Sequence, residues 1–254
     1  VAFIVIAGVL GGLLYVNLRS AEKNIQSANE FYAIGDYKKA YKLYGRAVSK
    51  EPNNLDYVAK VKDTLNNIVP VTSEEASAFY DSYLSALVHE SRYSPLDIES
   101  HLAVVDELYK AAHLSGSVNY WRRLKEAAEN GYDRVSSDNP RRHELLLYIG
   151  LASLRIENAS MTEDYDAIGN IRFPGEDEIE AVIELDPDNA VAWATLAFGK
   201  MAIFYRINEE GQTKQAVKNR KFAYDTMKKA TEIAGESFDV LATSFRELGL
   251  QKTR

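Results

Sequence analysis

The chain has 254 residues, is 46% hydrophobic and 26% charged, and carries a formal net charge of −7. These are the proportions of an ordinary folded protein, and the negative charge argues against a nucleic-acid partner, which is held through Lys and Arg. There is no Cys, so disulfides and thiolate metal sites are excluded. Six Pro and fourteen Gly punctuate long stretches of helical periodicity, and no period-two β-branched runs occur.

Val1 to Val16 is an unbroken run of apolar residues and Gly, Leu18 extends it, and the first charge is Arg19. A bilayer core takes about 17–25 such residues as a helix, so residues 1–18 sit at the short end of a spanning segment. Gly8 and Gly12 form a G-x-x-x-G pair, which places two missing side chains on one helix face and lets another backbone approach. Three readings compete. One is a single-pass membrane anchor. A second is a secretory signal peptide, which would need a basic leader and a small-residue cleavage site; Asn17-Leu18-Arg19-Ser20 is a poor one. In the third the helix bundles with copies of itself in a filament core. Pilin-like subunits do this, but type IV pilins carry Glu at the fifth position, where this chain has Val5. From Leu13 to Ile34 there is neither Gly nor Pro, which predicts one continuous helix of about thirty residues, carrying the apolar run directly into the polar sequence after Arg19.

Residues 21–54 carry the clearest pattern. Gly35-Asp36-Tyr37 is a turn between two amphipathic stretches, followed by Ala40, Tyr44, Ala47 and Pro52-Asn53-Asn54, with Ala28 and Phe31 upstream. The small residues let two antiparallel helices approach, and Phe31, Tyr44 and Val48 fill the space between them. This pattern resembles the tetratricopeptide repeat. The resemblance implies an α-solenoid that binds a peptide or partner helix in a groove lined by first helices. Ile25, Asn29 and Tyr32 would line it in this repeat. Asn29 matches the Asn of the family's carboxylate-clamp subtype, but Ile25 stands where the clamp has its first Lys, so a clamp is not expected.

Asn53 or Asn54 caps a further helix to about Asn67. Thr72-x-x-Glu75 is a capping box for a helix reaching about Arg92. Ser94-Pro95 predicts a helix to about His113, and Ser117 one to Asn130 with Gly131 as its terminator. Asp138-Asn139-Pro140 opens another, in which Gly150 falls at a small-residue position. An acidic insertion, Asn158 to Gly175, precedes a short helix over Glu178–Leu185 that ends in Asp186-Pro187-Asp188-Asn189. Ala190 then starts a repeat in which Trp193, Leu196 and Ala197 match the W-x2-L-G signature. Ala223, Met227 and Ala230 match its second helix, and Phe238 to Leu248 is predicted as a capping helix.

No sequence motif points to reaction chemistry. His89, His101, His113 and His143 have no ligand spacing, and there is no phosphate loop or nucleophile elbow. The acidic run around Glu163, Asp164, Asp166, Glu176, Asp177, Glu178 and Glu180 lacks calcium-loop spacing and reads as a solvated insertion, with a sequon at Asn158-Ala159-Ser160. Lys214, Lys218, Arg220 and Lys221 form a basic helical face that reads as solvated. The expectation is an all-α chain: a hydrophobic helix over 1–19, a repeat and following helix over 20–69, atypical helical repeats over 70–137, a pair with the insertion 158–175 over 138–189, and a repeat with its cap over 190–254. Its expected role is a non-catalytic membrane-anchored scaffold for a protein partner or for self-association, without cofactor, metal, small-molecule substrate or nucleic acid. The helical part is expected on the extracytoplasmic side. The alternative is a self-assembling subunit of an extracellular filament.

Overall fold

A computed structural model of the chain describes residues 20–157, 164–165, 171–209 and 213–235. The apolar segment with Gly8 and Gly12, the sequon at Asn158, and the capping helix expected over 238–248 lie outside these residues. The chain divides into two compact units at Ser94 and Pro95.

The first unit holds α1 (Ala21–Ala33), α2 (Tyr37–Lys50), α3 (Leu55–Asn66) and α4 (Ser73–Tyr93), each packed on the next. The caps explain where the helices begin. Ser20 accepts from the Lys23 N–H, Asp36 from the Lys39 N–H and Thr72 from the Glu75 N–H, each satisfying an orphan donor of a first turn. The reciprocal half of the capping box is displaced by one residue, because Glu75 reaches the N–H of Val71 at 2.8 Å. Ala28, Ala40 and Ala47 are fully buried between α1 and α2, and Tyr44 is buried beside them, as the repeat pattern requires. Leu43, Val58, Val61, Leu65, Ile68 and Ala86 complete this core.

The second unit holds α5 (Ile98–Ser115), α6 (Val118–Arg134), α7 (Arg142–Glu157), β1 (Asp164–Tyr165), β2 (Ile171–Arg172), α8 (Glu176–Leu185), α9 (Ala190–Glu209) and α10 (Thr213–Ala234). Again each helix packs on the next, and α7 also touches α5 and α9. The two strands form a two-residue antiparallel ladder inside the insertion, Asp164 opposite Arg172 and Tyr165 opposite Ile171. Among the described residues, α9 is apolar and long enough to cross a membrane. Its Leu196, Ala197, Met201, Ile203, Phe204 and Ile207 are instead buried in this unit's core, which makes it a core helix of this unit.

Several helix starts and ends differ from the sequence reading. The continuous helix expected through Arg19 does not run past Ser20, whose extended backbone (φ −62°, ψ 156°) makes it the N-cap of a helix that starts at Ala21. α7 starts at Arg142 and α8 at Glu176, two residues later and two residues earlier than Pro140 and Glu178. The helix expected at Ser94-Pro95 starts at Ile98, with Asp97 as its cap accepting from the Ser100 N–H at 3.0 Å. Pro95 stays outside because its carbonyl is bonded by His101 Nε2 at 3.0 Å. The helix expected to end before Gly131 continues to Arg134. Gly131 is a point of close approach: a side-chain carbon there would lie 3.0 Å from Cβ and Cγ of His101.

The insertion returns to the frame through a tight latch. Gly175 has φ +88°, a left-handed conformation that L side chains avoid, and a Cβ there would meet the Gly150 carbonyl oxygen at 2.6 Å. The Phe173 ring lies against Gly199 and is 2% exposed. Glu176, also 2% exposed, accepts from the Phe173 N–H at 3.1 Å and pairs with Lys200 of α9. Arg172 joins Glu180 and Asp177 at 2.5 and 2.6 Å. Of the acidic residues that open α8, Glu176 is thus buried and paired, whereas Asp177 and Glu180 meet Arg172 at the surface.

Candidate functional site

The α1–α2 packing fixes which face of α1 looks outward. Ala28 turns inward, so Ile25, Asn29 and Tyr32, at steps of four and three residues, share one side of the helix. Ile25 is half-buried against the core. Asn29 is exposed, and its side-chain oxygen accepts from the Tyr44 hydroxyl at 2.7 Å. The Tyr32 hydroxyl donates to Asp63 Oδ2 of α3 at 2.7 Å. Asn67 Nδ2 donates to the Asp63 carbonyl at 2.8 Å and, more weakly, to the Tyr32 hydroxyl at 3.4 Å. The Tyr37 ring meets Tyr32 edge-on, with centroids 5.2 Å apart.

These bonds set the chemistry of the face. Donation to the Asp63 carboxylate pushes the Tyr32 phenol up to about 12, so it stays a neutral donor. Burial raises the Tyr44 phenol as well. The Asp63 side chain is exposed, and Asp56, seven residues earlier on the same helix, is exposed too. A carboxylate clamp needs cations here; this face offers Ile25 and a fixed negative charge. It can make hydrogen bonds, aromatic contacts and cation contacts with a polypeptide, and it repels a ligand carboxylate.

Asp63 and Asn67 belong to no motif that the sequence displays by itself. A signal exists for Asp63, which lies thirty-four residues after Asn29, one repeat period. The second unit uses the same device between α5 and α7: the Tyr148 hydroxyl donates to Asp106, and Arg141 pairs with Glu99. Tyr109 lies edge-on to Tyr148 and Trp121 at 5.6 and 5.9 Å. Burial and the Tyr148–Asp106 bond both raise the Tyr148 phenol.

The four His are placed by packing. His89 Nε2 bonds the Pro52 carbonyl at 2.5 Å, and His101 is buried against Gly131. His113 lies against Tyr109 and Trp121, where burial lowers its pKa. His143 is 3.7 Å from Asp186. Among the described residues, no group of three or more His, Asp or Glu is placed to hold a metal ion. On the basic face of α10, Arg220 stacks over Phe204 and Tyr224 at 5.6 and 5.7 Å, while Lys214, Lys218 and Lys221 are exposed.

No family model matches the chain, and no curated protein matches it. Several solved structures are similar. YrrB, described as a TPR protein with an unusual peptide-binding site, is 15% identical, covers 90% of this chain and 92% of its own, and has a TM-score of 0.45. TTC0263, a thermophilic TPR protein in Thermus thermophilus, is 15% identical over 89% of this chain and 98% of its own, with a TM-score of 0.45. MamA from Desulfovibrio magneticus is 13% identical over 86% and 97%, also at 0.45. These likenesses are weak, and the helix pairs described above rest on their own residues.

Proposed function

We propose that this chain is a non-catalytic protein-interaction scaffold, held at a membrane by residues 1–18, whose α1–α3 face grips a polypeptide partner. The observation that supports it is the cross-braced surface of Ile25, Asn29, Tyr32, Asp63 and Asn67. It is polar, aromatic and anionic, it is held by hydrogen bonds between two helices, and it lacks the groups of a reaction centre. Bracing lowers the ordering cost that binding would otherwise carry. The proposed partner is a protein rather than a small molecule, and in this proposal the Gly8 and Gly12 pair is the face on which two membrane helices would pack.

Panning a random peptide library against the full chain in detergent micelles tests this. Binders are expected to lose at least tenfold in affinity on Asn29→Ala and on Ile25→Glu. Binders indifferent to both substitutions would refute the face. Alkaline carbonate washing of membranes tests the anchor: the chain stays in the pellet if residues 1–18 span the bilayer, and release into the wash removes that part of the proposal.

A further inference from the structure

We propose that the cleft between α2 and α4 is a second docking site, one that takes an apolar side chain followed by lysine or arginine on a partner polypeptide. It lies among different residues from the α1–α3 face. At one end α2 and α4 are tied by the Lys38–Glu75 ion pair and by the Tyr41 hydroxyl donating to Ser82 Oγ at 2.9 Å. At the other, the bond of His89 to the Pro52 carbonyl holds α4 to the turn after α2, and the Tyr93 ring stacks on His89. Between these ties the two helices stand apart over a cleft of about 340 Å³, within the range of sites that take a ligand or an anchoring side chain. Val58 and Val61 of α3 are buried beneath it, and Val48 and Ala86 flank it.

The carrying observation is Gly45. It sits inside α2 with ordinary helical backbone, and a side-chain carbon there would meet nothing within 4 Å. Glycine weakens a helix interior relative to alanine, and neither a turn nor a close approach requires it here. Its effect is to leave one wall of the cleft open. The α4 wall is kept low in the same way, by Ser82, Ser85 and Ala86. Both serine hydroxyls donate to carbonyls of their own helix, at 2.8 and 2.7 Å, so they present little unsatisfied polarity to an occupant.

One charge remains. Asp81 lines the cleft, is exposed, and takes part in no ion pair among the described residues. An apolar interior beside a single anion is complementary to an aliphatic or aromatic side chain next to a cation. An acidic neighbour would meet like charge.

The test uses the full chain in detergent micelles and three acetylated octapeptides with a central Phe-Lys, Phe-Glu or Ser-Lys pair, followed by backbone amide shifts in NMR. The Phe-Lys peptide is expected to saturate, with shifts centred on Gly45, Val48 and Ser85, and to bind at least tenfold more tightly than the other two. Gly45→Leu, which fills the cleft and favours the helix, is expected to abolish binding while the urea midpoint holds or rises. Asp81→Lys is expected to exchange the preference to Phe-Glu. Asn29→Ala is expected to leave binding unchanged, which separates this site from the α1–α3 face. Equal binding of the three peptides, absence of saturation, or loss of binding on Asn29→Ala but not on Gly45→Leu would overturn the proposal. So would a dimer of the chain that Gly45→Leu dissolves, because a second copy would then be the occupant.

Discussion

Replacing Gly199 and Gly45 with alanine makes the same chemical change in two helix interiors, with opposite expected results. Both variants gain about 0.8–1 kcal/mol from helix propensity. At Gly45 nothing lies within 4 Å of the new carbon, so the gain stands. At Gly199 the new carbon would fall 2.6 Å from Phe173 Cγ and nearer still to Cδ1 and Cε1. Carbon atoms rest about 3.5–4.0 Å apart, so the ring has to retreat by about 1 Å or more. It is 2% exposed and its backbone is bonded to Glu176, which leaves it little room. Overpacking of this kind costs about 1–3 kcal/mol, and expelling the ring forfeits roughly 1.5–3 kcal/mol of burial. Net of the propensity gain, Gly199→Ala should lose about 1–2 kcal/mol. Urea unfolding reads both changes. The chain has two Trp, Trp121 and Trp193, and both belong to the second unit. Tryptophan fluorescence should therefore show a midpoint lowered by about 0.5–1 M for Gly199→Ala and no change for Gly45→Ala. Helical circular dichroism should show the Gly45→Ala gain in the other transition. A raised fluorescence midpoint for Gly199→Ala would refute the seating of Phe173.

Glu176→Ala strands Lys200, which is 12% exposed, and removing one partner of a buried pair costs about 3–5 kcal/mol; the double change with Lys200→Met should recover much of it in the same fluorescence assay. The hydrogen bond from Lys38 holds the Glu75 carboxyl below its ordinary value of 4.5. A native value below the unfolded one means its contribution is present above pH 4.5 and is lost as pH falls through the lowered native value. Helical circular dichroism of the first unit should show this loss, and Glu75→Gln should flatten it. The Tyr32 phenol is raised from 10.0 to about 12, so stability should decline as pH rises between those values. Ultraviolet phenolate absorbance should show a late-titrating group of tyrosines, Tyr44 and Tyr148 among them, that is smaller by one tyrosine in Tyr32→Phe.

What can be read from the sequence is what is local. Ala28, Ala40, Tyr44 and Ala47 encode a helix pair through size alone, and all four are buried where that pattern puts them. Gly131 misleads because a glycine that ends a helix and a glycine that admits a neighbouring side chain look the same in one dimension; only the position of His101 distinguishes them. Ser94-Pro95 and Asp97 are both good starts for α5, and the choice depends on a carbonyl bonded by His101, which lies inside the helix. On the α1–α3 face, Asn29 and Tyr32 are legible through the resemblance, whereas their partner Asp63 requires the repeat register to be carried to the next first helix. Gly45 gives no signal in the sequence because its meaning lies in the space beside it.

The latch at Phe173, Gly175 and Glu176 has a bearing on how this protein can be altered. The returning chain is pinned on α7 and α9 by two glycine contacts and a buried ion pair, so the register in which α8 begins is set by packing at Phe173, Gly175 and Glu176 and not by the length of the insertion before them.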